Sequence, residues 1–125
     1  MDTQVTKALS RGGVIDMTTT GRRTGEPRRI EIAYHSIDGR IYITGMPRAD
    51  RTRRWLLNLE ADPHFTFHLK GAVDADLPAT ARVVTDEAER RAVFEYVVTV
   101  WKGQDVETMN RYSPLIEVTF DDLAA

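Results

Sequence analysis

Residues 29–34 read Arg-Ile-Glu-Ile-Ala-Tyr, and this two-residue alternation narrows the possible folds more than any other feature of the chain. Successive side chains of a strand point to opposite faces, so Ile30, Ile32 and Tyr34 share a buried side while Arg29 and Glu31 face away. Asp38-Gly39 follows, a strong hairpin signal, and the chain returns through Arg40 to Thr44 with Ile41 and Ile43 on one face. The same period recurs from His64 to Lys70, where Phe65, Phe67 and Leu69 fall together. Val14 to Thr20, Ala79 to Val84 and Leu115 to Phe120 complete the strand-like runs. Between the first two strands, Gly21-Arg-Arg-Thr-Gly25-Glu-Pro27 reads as a turn, with glycines for positive φ and a proline that donates to no ladder.

Helical patterns are fewer. Residues 3 to 10 suggest a short helix. A loop at 45 to 50 leads into a helix of roughly ten residues, with Asp50 as N-cap and Asp62-Pro63 as the stop. Asp86 to about Trp101 forms another, opening on acids that suit a helix N-terminus. Its stripe of Ala92, Val93, Tyr96, Val97, Val100 and Trp101 fits a core or dimer contact. These elements predict a mainly β, α+β fold: an antiparallel barrel of about six strands with peripheral helices, in one domain over residues 1–125.

Composition removes several function classes. The chain has no cysteine, which excludes disulfides, thiolate nucleophiles and cysteine-ligated metals. His64 and His68 resemble a metal pair only on a helix; on a strand they lie about 13 Å apart. Neither a Gly-x-Ser-x-Gly turn nor a glycine-rich phosphate loop is present. No run approaches the roughly 20 apolar residues needed to span a bilayer, and the N-terminus lacks a signal-peptide core. A cytoplasmic address is expected. A net charge of −2 argues against general nucleic-acid binding.

Charge distribution is more informative than its sum. Arg22, Arg23, Arg28, Arg29, Arg40, Arg48, Arg51, Arg53 and Arg54 lie within one stretch that contains no lysine, while acids dominate after residue 85. The planar guanidinium pairs bidentately with phosphate and carboxylate, so this choice fits a discrete anionic ligand. Arg51 and Arg54 are three apart and share a helix face. They stand at a helix N-terminus, where cations oppose the dipole unless an anion intervenes. Trp55 reads either as a core anchor or as the wall of a ring pocket. Asn58 is placed to brace the preceding loop. Tyr34, Tyr96 and Tyr112 either keep their rings in the core or supply protons in a reduction.

TTTGRRTGEPRR, the strand pair around Asp38-Gly39, and ADRTRRWLLNLEADPHFTFHLKG together resemble the deazaflavin (F420)-dependent nitroreductase and quinone reductase family of the flavin-binding split β-barrel group. The resemblance covers roughly residues 14 to 84, with an echo in PLIEVTF. It implies a split barrel whose cofactor lies across the barrel face and the loop before the first internal helix. The cofactor would carry the hydride chemistry and the protein would orient it. F420 bears a phosphodiester and an oligoglutamate tail, and the resemblance assigns these to Arg22, Arg23, Arg48, Arg51 and Arg54, with Thr24, Trp55 and Asn58 as further contacts. Gly45, Met46 and Pro47 would pack near the ring, and Tyr34 and Tyr96 would stand on the substrate side. The implied reaction is hydride transfer to a small quinone, enone or nitro compound. A non-catalytic F420 carrier and an FMN-binding barrel are the alternatives. A homodimer is expected from the barrel group.

Overall fold

The computed structural model describes residues 2–50 and 52–121. A short helix, α1 (Thr3–Leu9), precedes three strands, β1 (Gly13–Thr20), β2 (Pro27–Ile37) and β3 (Arg40–Thr44). After α2 (Arg54–Ala61) come β4 (His64–Leu69) and β5 (Ala75–Val83), then helices α3 (Glu87–Val100) and α4 (Val106–Tyr112), and finally β6 (Leu115–Phe120). The strands close into an antiparallel barrel in the order β1-β2-β3-β6-β5-β4, with β4 returning to β1. Closure leaves no unpaired edge, which is how short strands of this kind avoid edge-to-edge association.

Alternation decides what fills the barrel. Ile15, Met17, Ile43, Phe67, Ala79 and Ile116 point inward and are fully buried. Phe67 stands at the centre, in edge-to-face contact with Tyr34 at 5.2 Å and with Phe120 at 5.1 Å. Helix α1 joins this core through Val5 and Leu9, and the Tyr34 hydroxyl donates to the Ala8 carbonyl at 3.0 Å. A second apolar cluster, built from Tyr42, Val84, Val93, Phe94, Val97, Met109 and Leu115, seats α3 and α4 on the barrel wall. Val93 and Val97 of the anticipated stripe thus go to the core. Tyr96 and Val100 stay exposed, and Phe94, outside that stripe, is fully buried.

Three expectations need correction. Helix α2 begins at Arg54, with Arg53 as its extended N-cap residue and no side-chain cap. Asp50 therefore does not cap it; its carboxylate accepts from Arg48 Nε at 3.1 Å and Nη2 at 3.0 Å. The Arg53 guanidinium donates back to the Met46 carbonyl, which holds the approach to the helix out of helical geometry. Strand β5 starts at Ala75, four residues earlier than its β-rich core suggests, because pairing with β4 extends to Leu69↔Ala75. Helix α4 has no counterpart among the expected elements; it has seven residues and starts from an Asp105 cap accepting from Thr108 N at 2.9 Å.

His64 and His68 lie on a strand, as the alternation requires. His68 is buried between partners on both neighbouring strands, with Thr18 Oγ1 at 2.7 Å from Nε2 and Asp76 Oδ1 at 2.7 Å from Nδ1. This pairing holds the Asp76 carboxyl below the usual range.

Arg90 locks the helical layer. Its guanidinium donates to the carbonyls of Val84 at 3.0 Å, Asn110 at 2.9 Å and Ser113 at 2.7 Å, and to Asn110 Oδ1 at 3.2 Å, while lying over the Phe94 ring. Arg90→Ala orphans three carbonyls at once and should cost about 2–4 kcal/mol in urea unfolding. A loss below about 1 kcal/mol would remove Arg90 from this role.

His35 provides a second, pH-dependent test. It is buried against Trp101 (ring centroids 5.1 Å apart) and Tyr96 (6.4 Å), and burial lowers its pKa from the ordinary 6.5. Above that value both folded and unfolded states are neutral at this residue. As pH falls below it, the unfolded chain takes up a proton that the folded one resists, so stability drops. Thermal unfolding should show this loss between pH 7 and 5, and His35→Phe should flatten it there. The carboxylates of Asp16 and Glu89, held low by hydrogen bonds from Lys70 and Arg29 and from Arg82, lose their contribution at more acidic pH. An unchanged slope in the variant would contradict the assignment.

Candidate functional site

The Gly21–Glu26 turn is rigid because its backbone bonds to itself. Gly21 N donates to Glu26 O at 2.8 Å, Gly25 N to Gly21 O at 2.8 Å, and Glu26 N to Thr24 Oγ1 at 3.2 Å. Gly25 adopts φ 74°, the left-handed region that glycine tolerates. A Cβ on Gly21 would meet Thr24 Oγ1 at 3.0 Å and Glu26 O at 3.1 Å, so that position accepts no side chain without displacing the turn. Arg22 and Arg23 are exposed on this fixed frame.

Helix α2 is attached to the turn through Asn58. The Asn58 side chain is buried; Nδ2 donates to Thr19 Oγ1 and Oδ1 accepts from the Arg22 backbone N–H, each at 3.1 Å. On neighbouring helical positions, Trp55 and Leu59 enter the barrel core. The bracing role read for Asn58 is the one observed. Trp55 is a core residue, and part of its surface also lines the cleft described next.

Turn and helix enclose a cleft of about 550 Å³ lined by Arg22, Arg23, Thr24, Arg28, Arg54, Trp55 and Asn58, with Thr19, Gly21 and Ile30 behind them. Its size suits a small-molecule ligand. Its charge is one-sided: among the described residues, no acidic one lines it. Arg28 leans toward Glu26 at 3.4 Å, whereas Arg22, Arg23 and Arg54 have no ion-pair partner among the described residues. Several arginines elsewhere are compensated: Arg29 by Asp16 at 3.0 Å, Arg82 by Glu89 at 2.5 Å and Glu117 at 2.7 Å, and Arg91 by Glu87 and Glu107. The first turn of α2 carries no acid. Cations gathered at a helix N-terminus without counter-charge repel one another and oppose the helix dipole, an arrangement that an anionic ligand relieves.

The other anticipated site residues are distributed differently. Arg51 lies outside the described residues. Gly45, Met46, Pro47 and Arg48 are not among the residues lining the arginine cleft. Met46 is exposed, and Arg48 lines a second cleft beyond α2, together with Arg53, Leu56 and the end of α4. Tyr34 and Tyr96 border a third, smaller hollow beside His35 and Trp101, away from both clefts. Arg28 is the lining cation that the expected site omitted. Two-residue spacing from Ile30 carries the signal, and the β1–β2 register sets Arg28 opposite Thr19.

Chemically, the arginine cleft offers cations, an indole wall, hydroxyls and an amide. Among the described residues its lining contains no carboxylate, imidazole or phenol. It can bind and orient an anion beside a flat apolar group, and no described residue of its lining is suited to general acid–base work at neutral pH.

Comparison with known proteins agrees with the barrel fold. Solved structures with the same fold include a conserved hypothetical protein from Mycobacterium tuberculosis (19% identity, 97% of this chain and 81% of that chain, TM-score 0.72). An F420-H2 dependent reductase, FDR-A, superposes with a TM-score of 0.65 at 21% identity, over 85% of this chain and 93% of that one. A protein related to general stress protein 26, of the pyridoxinephosphate oxidase family from Clostridium acetobutylicum, gives 0.71 at 10% identity, over 94% and 82%. At these identities the likeness carries the fold alone. The sequence profile of the F420H(2)-dependent quinone reductase family matches residues 1–119, nearly the whole chain, and the protein belongs to that family.

Proposed function

We propose that this protein binds the reduced deazaflavin F420 in the arginine cleft and serves as a reductase of small unsaturated acceptors such as quinones, enones or nitro compounds. The observation that carries this reading is the convergence of Arg22, Arg23 and Arg54, with no acidic partner among the described residues, beside the indole of Trp55. A phosphodiester followed by several carboxylates suits these cations better than the single phosphate of FMN.

When bound, the reduced cofactor supplies a hydride to the acceptor, and a proton from solvent completes the two-electron reduction. The residues of the chain bind and orient. Arg22 and Arg23 hold anionic groups from the turn, Arg54 does so from the helix, and Asn58 keeps these two supports in register. Trp55 provides an apolar wall that excludes water from one side.

Fluorescence titration of the purified protein with F420 should show binding tighter than that of FMN and weakened by added salt. Arg22→Ala, Arg23→Ala and Arg54→Ala should each weaken it about tenfold, corresponding to one charge-assisted hydrogen bond. Preference for FMN, or indifference of all three variants, would refute the cleft assignment. Turnover with menadione then separates reductase from carrier: tight binding without quinone reduction would identify a carrier.

A further inference from the structure

The second cleft, of about 470 Å³, opens on the side of α2 away from the arginine cleft. Consecutive residues divide the two: Arg54 and Trp55 face the first, while Arg53 and Leu56 face the second. Its far wall is the end of α4, which brings Arg111, Tyr112 and Ser113.

This wall is built to stay in place. Three consecutive carbonyls are each held by a different element. Tyr112 O accepts from Arg48 N at 3.5 Å, Ser113 O from Arg90 Nη2 at 2.7 Å, and Pro114 O from the Thr44 hydroxyl. The Ser113 amide is taken by Met109 O at 2.9 Å. Within this saturated wall the Ser113 side chain is buried, yet its hydroxyl has no hydrogen-bond partner. Buried hydroxyls without partners are uncommon, because desolvation goes uncompensated.

Charge and shape specify what would satisfy that group. Arg48 is neutralised by Asp50. Arg111, which has no ion-pair partner among the described residues, brings a positive charge to the cleft wall. Arg111 lies 5.9 Å above the Tyr112 ring, so a cation and a half-exposed aromatic surface stand side by side. Leu56 supplies apolar surface on the facing helix.

We infer that this second cleft binds an aromatic carboxylate, with the carboxylate on Arg111 and the Ser113 hydroxyl and the ring between Tyr112 and Leu56. The further identification of this ligand as an acid-bearing acceptor, such as a carboxylated quinone, rests on the proposed function of the neighbouring cleft. Binding itself does not, so the two readings can fail separately.

The probe is 2-naphthoate, compared with neutral 2-naphthamide, added to the cofactor-free protein and followed by amide NMR shifts and calorimetry. Naphthoate should move the Arg111, Tyr112 and Ser113 signals and bind about tenfold more tightly than the amide. Arg111→Leu, at an exposed position, should abolish that preference, and Arg22→Ala should leave it intact. Ser113→Ala should weaken naphthoate binding without lowering thermal stability, since the hydroxyl has no partner to lose. Equal binding of acid and amide, shifts confined to Arg22 and Trp55, or an unaffected Arg111→Leu variant would each overturn the inference. Should F420 fail to bind while naphthoate behaves as expected, the first cleft's assignment falls and this one stands.

Discussion

The two hydrogen bonds of Asn58 are the constraint on which the site depends. A buried primary amide must find partners, and this one finds them on the end of β1 and on the first arginine of the turn. Helix α2 is thereby fixed to the very backbone that carries Arg22. Without this tie, the turn and the helix would be separate basic surfaces. With it, cations from two non-adjacent segments converge on a space of ligand size.

The surrounding charges show how selective that convergence is. Most arginines of this fold work structurally, stitching strands to helices through carboxylates or, as with Arg90, through carbonyls. Surface ion pairs contribute little stability individually, but they remove those cations from competition for a ligand. At the turn and helix α2, Arg22, Arg23 and Arg54 define a local positive field in a protein whose net charge is negative. The closed barrel makes this tolerable: its stability comes from the Phe67-centred core, so the rim can carry uncompensated charge.

Much of this was legible in the sequence, and the gaps have physical causes. Strand identities followed from the alternation at 29–34 and 64–70, since a period of two on one buried face has few alternatives. The barrel itself was expected, but which strands close it, β1 with β4 and β3 with β6, is set by non-local pairing that leaves no periodic trace. Helix α4 escaped because seven residues are too few to display an amphipathic stripe. The start of α2 was misplaced because Asp50 is a good capping residue by type, while its actual partner, Arg48, lies only two positions away. The site followed the same division: the GRRTG turn and the Trp55–Asn58 helix were recognisable as a pair, but not which arginines would be neutralised. That depends on carboxylates brought close by tertiary structure, as with Asp16 beside Arg29.

The central claim is that the cleft recognises anionic groups rather than the ring alone. Calorimetry with the complete cofactor and with its deazaflavin chromophore lacking the phosphodiester and glutamate tail measures this directly. If three arginines engage the tail, its removal weakens binding by about 100-fold or more. Equal affinities for the two would mean that the arginines do not hold the cofactor, and would return them to the solvated surface.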